Sequence, residues 1–344
     1  MNHPSFRLLT RTAIGFAMAA CLHQALAQEK IKISIVHIAT ASAPTNVGSV
    51  GVLKTSLEAT GRAEVATYGT GSAYSNPTKF SELVESGVVD IAIGVPQFEA
   101  GRYPLNLLSG DLFPLIDHAK ASRAYLRVVR ATPELEAEFR PNRVLVVLFT
   151  SAEQIHSRKP LKSIDDLKGM RVMAINPLVM AMIRDVGGNV VALPQPAQYE
   201  NLQKGVVDAV SSPWSGTVAF RTTEVTSSHL DIKSVATPIF IIMNQKKYDS
   251  LPPVLKKVID DYSTEDNAAR IAQLWDQLDG VGIAEAKNRN HGIVTVSDAE
   301  RATLRKRFQH LTDARIAELN KKGLPAGRIY EALVRAMTAE DARR

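Results

Sequence analysis

The residues from Pro160 to Trp214 constrain this chain most: PLKSIDDLKGMRVMAINPLVMAMIRDVGGNVVALPQPAQYENLQKGVVDAVSSPW. Ser163, with Asp166 three residues on, makes a capping box for a short helix that Gly169 ends. The pattern then predicts a strand at Met170–Ala174, a helix over Leu178–Val186 stopped at Gly187-Gly188, and a strand from Asn189 to Leu193. A helix from Pro196 to Lys204 ends at Gly205, and the strand Val206–Val210 follows. Strand–helix–strand–helix–strand with such short turns is the signature of an open parallel α/β layer, in which ligands sit beyond the carboxyl ends of the strands. Ala174–Asn176 and Ser211–Trp214 occupy those ends.

The same unit is echoed earlier. Phe80–Asp90 reads FSELVESGVVD and Tyr199–Asp208 reads YENLQKGVVD. Each has an aromatic-led helix, a terminating glycine, and Val-Val-Asp entering a strand, which suggests two lobes built alike. Ahead of the first echo, Ile31–Ile38 alternates as a strand, and GTGSAY from Gly69 follows the strand Ala63–Tyr68. That string is a near miss to a dinucleotide fingerprint, with Tyr74 in place of the third glycine, and reads instead as a turn allowing close backbone approach. Later, Ile271, Leu274, Trp275, Leu278 and Val281 recur at helical spacing on a long helix from Glu265 to about Arg289. That face reads as core, and Gly280 and Gly282 as points where the helix bends.

The amino end reads as an export signal. Arg7 and Arg11 precede an apolar run, Ala13 to Leu22, and an Ala25-Leu26-Ala27 cleavage site. Cys21, the one cysteine of the 344 residues, falls inside it. Beyond it no apolar run approaches the ~20 residues a membrane helix needs. Lys+Arg total 41 against Asp+Glu 35, spread along the chain, which argues against a nucleic-acid partner.

Catalytic and cofactor motifs are missing from the sequence: no G-x-S-x-G elbow, HExxH, Walker loop or C-x-x-C. No metal or cofactor is expected, and no enzymatic activity. His37, His156 and His229 lie near element ends and read as loop or surface histidines, with His156 or His37 as the base if the protein were an enzyme. Asp90 and Asp208, at strand starts away from the ligand end, read as structural. Two α/β lobes, export, and polar and aromatic residues at strand ends describe a receptor that clamps a small solute. Tyr74, Gln97, Phe98 and Gln154 are candidate ligand contacts by their place at strand ends or before strands, and Trp214 is either a stacking surface or a buried anchor.

PLKSIDDLKG, YENLQKGVVDAV, NQKKYDSLPP, VESGVVDIAIGVPQFEAGRYPLNLL and KKGLP resemble the solute-binding proteins of tripartite (TRAP-type) transporters, in one consistent order over nearly all of residues 28–344. The resemblance implies an α/β two-lobed periplasmic-binding-protein clamshell, type II-like, with a long helix bridging both lobes. The signal would span residues 1–27. One lobe would take 28–149 plus about 237–285, and the other 150–236 plus about 286–344. It also implies a periplasmic protein, a small organic acid as ligand and a membrane permease as partner. The same clamshell can instead serve a signalling receptor. Family members place an arginine two residues after the basic position that Arg171 fills, to grip a carboxylate bidentately; here that position is Met173. Either Arg171 takes the role, or the clamp is lost and the ligand is less acidic, more apolar, or held by another arginine such as Arg158 or Arg184. Asn176 and Gln195 fall where family members touch ligand, and Ser212 stands where they often have asparagine.

Overall fold

The computed structural model describes residues 29–38, 43–111, 117–193 and 195–342. The segment expected to be an export signal, with Cys21, lies outside the described residues. The first unit begins with β1 (Ile31–His37), β2 (Ala63–Tyr68) and β3 (Ile91–Gly94), joined by helices Val50–Ala59 and Phe80–Glu85. β1 lies in the middle and pairs in parallel with both others. Next come β4 (Arg143–Ala152) and β5 (Gln154–Ser157), and then the stretch that opens with Ser163. Ser163 and Asp166 close their capping box around a single 3-10 turn, and Gly169 takes a φ of 74° that a side chain would strain. The strands that follow are β6 (Arg171–Met173), β7 (Asn189–Val191) and β8 (Ala209–Ser212), with helices Pro177–Asp185 and Gln198–Gln203 between them. Here too the first strand is central and both neighbours are parallel to it.

The echo in sequence is therefore an echo in topology, and the two aspartates mark it. Asp90 accepts from the backbone N–H of Ser34 at 2.8 Å, while its own N–H donates to Ser34 O at 3.2 Å. Asp208 does the same with Arg171, at 2.9 and 2.8 Å. Lys247 and Lys159 complete the two ion pairs at 3.2 and 3.0 Å. Each carboxylate closes the amino end of a parallel strand pair, where a backbone donor would otherwise lack a partner. This is why the third strand of each unit starts after its Val-Val-Asp: the side chain occupies the place of the next ladder bond.

The sheets are mixed, where the pattern predicted parallel layers. β9 (Ser228–Asp231), β10 (Ala236–Met243) and β11 (Gly292–Thr295) complete them. One sheet has the order β2-β1-β3-β10-β4, with β10 antiparallel to both neighbours; the other is β11-β9-β5-β8-β6-β7, with β5 antiparallel to both of its own. The chain crosses between sheets at Glu153, after β4, and returns between β9 and β10. The two crossings are bonded together, Glu153 N–H to Val235 O at 2.6 Å and Ser234 N–H to Glu153 O at 3.0 Å.

The third connection is the helix Glu265–Asn288, capped by the Thr264 side chain with Glu265 and Asp266 in its first turn. Ile271, Ala272 and Trp275 join the core of the first sheet. Further along, Asp279 reaches the second unit, accepting from Ser215 N–H at 2.6 Å and from Ser151 Oγ at 2.7 Å. The helix runs unbroken through Gly280 and Gly282. Gly282 serves close approach: a Cβ there would stand 2.5 Å from Trp214 O. The carboxyl-terminal residues also depart from expectation. Phe308 of helix Asp298–Lys321 packs with the second core, but Ala326, Ile329, Leu333 and Met337 of helix Ala326–Asp341 pack with the first. The helix pair thus straps across both lobes, and residues 286–344 do not all belong to the second.

Candidate functional site

A crevice of about 730 Å³ opens between the two units, within the ~300–1,000 Å³ usual for small-molecule sites. From the first unit it takes Ile38 beyond β1, Asn46, and Val95 and Phe98 beyond β3. From the second come Gln195, then Ser212 and Pro213 at the end of β8, with Val218 and Phe220 from the helix that follows. Thr150 and Thr237 flank the crossings, and Trp275 and Leu278 form the side given by the bridging helix. The crevice thus lies beyond the carboxyl ends of strands whose central member reverses the order, which is where open α/β sheets hold ligands.

Of the predicted contacts, Phe98, Gln195 and Ser212 line this space. Ser212 is fully buried and its hydroxyl has no hydrogen-bond partner. The others are placed elsewhere. Arg171 lies at the amino end of β6 and forms a two-pronged pair with Asp208, Nε at 3.0 Å and Nη2 at 3.2 Å. Met173 is buried among Leu202, Val207 and Val210. Asn176 caps helix Pro177–Asp185, accepting from Leu178 N–H at 2.9 Å. Gln154 is buried and holds the turn after β9 by accepting from Lys233 N–H at 2.7 Å. Tyr74 packs edge-on against Tyr68, with Ser75 beside it entering the crevice in its place. Gln97 precedes Phe98 but is not a lining residue, and neither side-chain atom of its amide has a partner. Arg158 and Arg184 do not line the crevice either.

Trp214 proves to be an anchor. It is 1% exposed, its ring lies 4.8 Å from those of both His156 and His229, and Nε1 donates to Asp231 at 3.3 Å. The aromatic surface of the crevice comes from Phe98, Phe220 and Trp275, the last identified by helical spacing only as core. His37, His156 and His229 are buried, where loop or surface positions were expected. His37 Nδ1 lies 3.0 Å from Asn46 Nδ2. His156 Nε2 lies 3.0 Å from Ser212 O, and a carbonyl can only accept, so Nε2 carries the proton. Nδ1 then accepts from His229 Nδ1–H at 2.8 Å, and His229 Nε2 accepts from His291 Nδ1–H at 3.0 Å. Burial lowers the His156 pKa to about 4 and that of His229 further, so both are neutral near pH 7. They form a support beneath β8, held by neutral hydrogen bonds.

Behind the crevice wall lie two buried carboxylates. Glu153 accepts from Thr237 Oγ1 at 2.6 Å and from Ser211 Oγ, and burial raises its pKa. Asp279 sits behind Ser215, its pKa pushed up to about 6 by burial. Among the described residues no three His, Cys, Asp or Glu stand together as metal ligands, and no helix is long and apolar enough to cross a membrane.

Two like α/β units around a crevice, joined by two strand crossings, the bridging helix and the terminal helix pair, define a two-lobed solute-binding protein. The chain belongs to the bacterial extracellular solute-binding proteins, family 7 (DctP), which it matches over residues 35–319. It is similar in fold to a TRAP solute-binding protein from Rhodoferax ferrireducens in complex with copurified benzoate, at TM-score 0.84 and 20% identity, over 91% of this chain and 99% of that one. A marine-metagenome TRAP protein specific for aromatic acid ligands, crystallised with 3-hydroxybenzoate, matches at TM-score 0.83 and 25% identity, over 91% and 100%. The 2,3-diketo-L-gulonate-binding periplasmic protein YiaO of Escherichia coli (strain K12) is 23% identical over 260 residues, 74% of this chain and 76% of its own.

Proposed function

We propose that this protein is the periplasmic receptor of a TRAP-type secondary transporter, capturing a small organic acid or a related, more apolar solute by lobe closure and delivering it to the membrane permease. The observation that carries this reading is the crevice enclosed by strand ends of both units. One lobe comprises residues up to Ala152 with β10 and the first part of the bridging helix, the other β5 to β9 with β11. The protein binds its solute without altering it: of the two bases a catalytic reading would use, His156 has both ring nitrogens engaged by Ser212 and His229, and His37 Nδ1 lies 3.0 Å from Asn46 Nδ2. That similar proteins hold benzoate and 3-hydroxybenzoate supports a ring-sized ligand.

A thermal-shift screen of organic acids and of uncharged aromatic compounds tests the proposal. A ligand at one hundred times its Kd stabilises the folded state by about 2.7 kcal/mol, on the order of several degrees in Tm. If no small solute raises the Tm, the reading is wrong.

A further inference from the structure

We propose that the crevice selects an uncharged, ring-bearing solute with a hydrogen-bond donor, such as a hydroxyl or an amide, over carboxylate anions. This rests on the receptor reading above and narrows its ligand.

Lining composition carries the argument. Every lining residue is apolar or neutral: the polar ones are serine, threonine, asparagine and glutamine, with no Arg, Lys or His among them. The segments between the described residues, 39–42 and 112–116 with position 194, contain no charged residue in sequence. The arginines nearest the second unit's wall are committed elsewhere: Arg221, which follows the lining Phe220, pairs with Glu224 at 2.7 Å. Arg171 is paired with Asp208 at the far end of its strand, and Arg158 packs against Gly205 there. Enclosing a carboxylate in such a space removes it from water and returns no opposite charge, which is strongly unfavourable.

The wall also has the wrong polarity for an anion. Thr237 lines the crevice, yet its hydroxyl proton is donated backwards to Glu153 at 2.6 Å, so a lone pair faces the solute. Ser215 N–H is likewise spent on Asp279 at 2.6 Å. Two acids stand directly behind the wall, and the hydroxyl that remains without a partner, Ser212 Oγ, is neutral. Acceptors aimed at the solute favour a donor on the ligand over an anion. The apolar remainder, Phe98, Phe220, Trp275, Leu278 and Ile239, supplies flat surface for a ring.

The test is titration calorimetry on the stripped, refolded protein with matched pairs: 3-hydroxybenzyl alcohol against 3-hydroxybenzoate, and benzamide against benzoate, at two salt concentrations. The expected result is at least tenfold tighter binding of each uncharged member, little affected by salt. Tighter binding of the carboxylates, weakened by salt, overturns this proposal and leaves the receptor reading intact. If neither series binds, and the wider thermal-shift screen is also silent, both fall. A variant isolates the cause. Gln195 is half-buried on the wall, and Gln195→Arg should raise 3-hydroxybenzoate affinity at least tenfold in a protein of unchanged Tm. An unchanged affinity in that folded variant overturns the claim that missing positive charge sets the preference.

Discussion

Ser212 and Arg171 make opposite predictions within one sheet. A buried hydroxyl without a partner costs about 1–3 kcal/mol until something bonds to it, and the space in front of Ser212 is the crevice. Ser212→Ala should therefore leave stability unchanged or raise it, while weakening ligand binding by about two- to tenfold, the worth of one net hydrogen bond. Arg171→Ala should do the reverse. It removes the two-pronged pair that helps hold Asp208 across the β6–β8 ends, so it should lower stability modestly, as the arginine is exposed, and should leave affinity unchanged. Urea unfolding and calorimetry on both variants check this. The two sites also show what sequence can convey. Residues 171 and 173 share a face by strand alternation, but alternation says nothing about which end of the strand a residue occupies, and two residues span about 6.6 Å. Phe98, Gln195 and Ser212 were legible because each follows a strand or turn whose end was marked by glycine or proline. Trp275 and Leu278 were not, since an apolar helix face looks the same whether it covers core or ligand.

At the scale of elements, the bridging helix sets two glycines against each other. Gly280 is exposed, with nothing within 4 Å of where a Cβ would sit. Gly280→Ala should stabilise by roughly 0.5–1 kcal/mol through helix propensity alone. At Gly282 the same change gains the same propensity but drives a methyl group to 2.5 Å from Trp214 O and 2.8 Å from Thr217 Oγ1. The first neighbour is backbone and cannot turn aside, so Gly282→Ala should destabilise by about 1–3 kcal/mol, as overpacking does. Opposite signs in urea unfolding would show that the helix touches the second lobe at this turn; equal signs would place it further away. The βαβαβ units were legible for a local reason: turns this short leave a parallel crossover little freedom. Orientation of β5 and β10 was not, because an apolar run such as Pro238–Met243 is the same pattern in either direction. Nor was the return of the last helix to the first core, which depends on contacts far apart in the chain.

Across the whole molecule, buried acids and buried histidines pull stability in opposite directions over one pH range. Burial pushes Asp279 and Asp111 up to about 6 and Glu138 to about 7. In the folded protein such groups keep their protons over a range where the unfolded chain, with carboxyl pKa values near 4, has lost them. Stability therefore falls as pH rises from about 4 to about 6 and, for Asp279, changes no further above that. His156 behaves in the opposite sense. Its pKa falls to about 4, so below about 6.5 the unfolded chain binds a proton that the folded one refuses, and stability rises with pH over the same interval. The histidine trend offsets only part of the acid one, so the net profile should still fall between about pH 4 and pH 6. Asp279→Asn isolates one of the acids: an amide oxygen can still accept from Ser215 N–H and Ser151 Oγ, but the position no longer titrates. Relative to this variant, the wild type should lose about 2–3 kcal/mol between pH 4 and pH 6, at about 1.4 kcal/mol per unit, and nothing more up to pH 8. Urea unfolding of both proteins at half-unit steps measures the difference directly. A constant gap across that range would mean that Asp279 is ionised throughout, and that the junction of helix, crossing strand and second lobe is open to water.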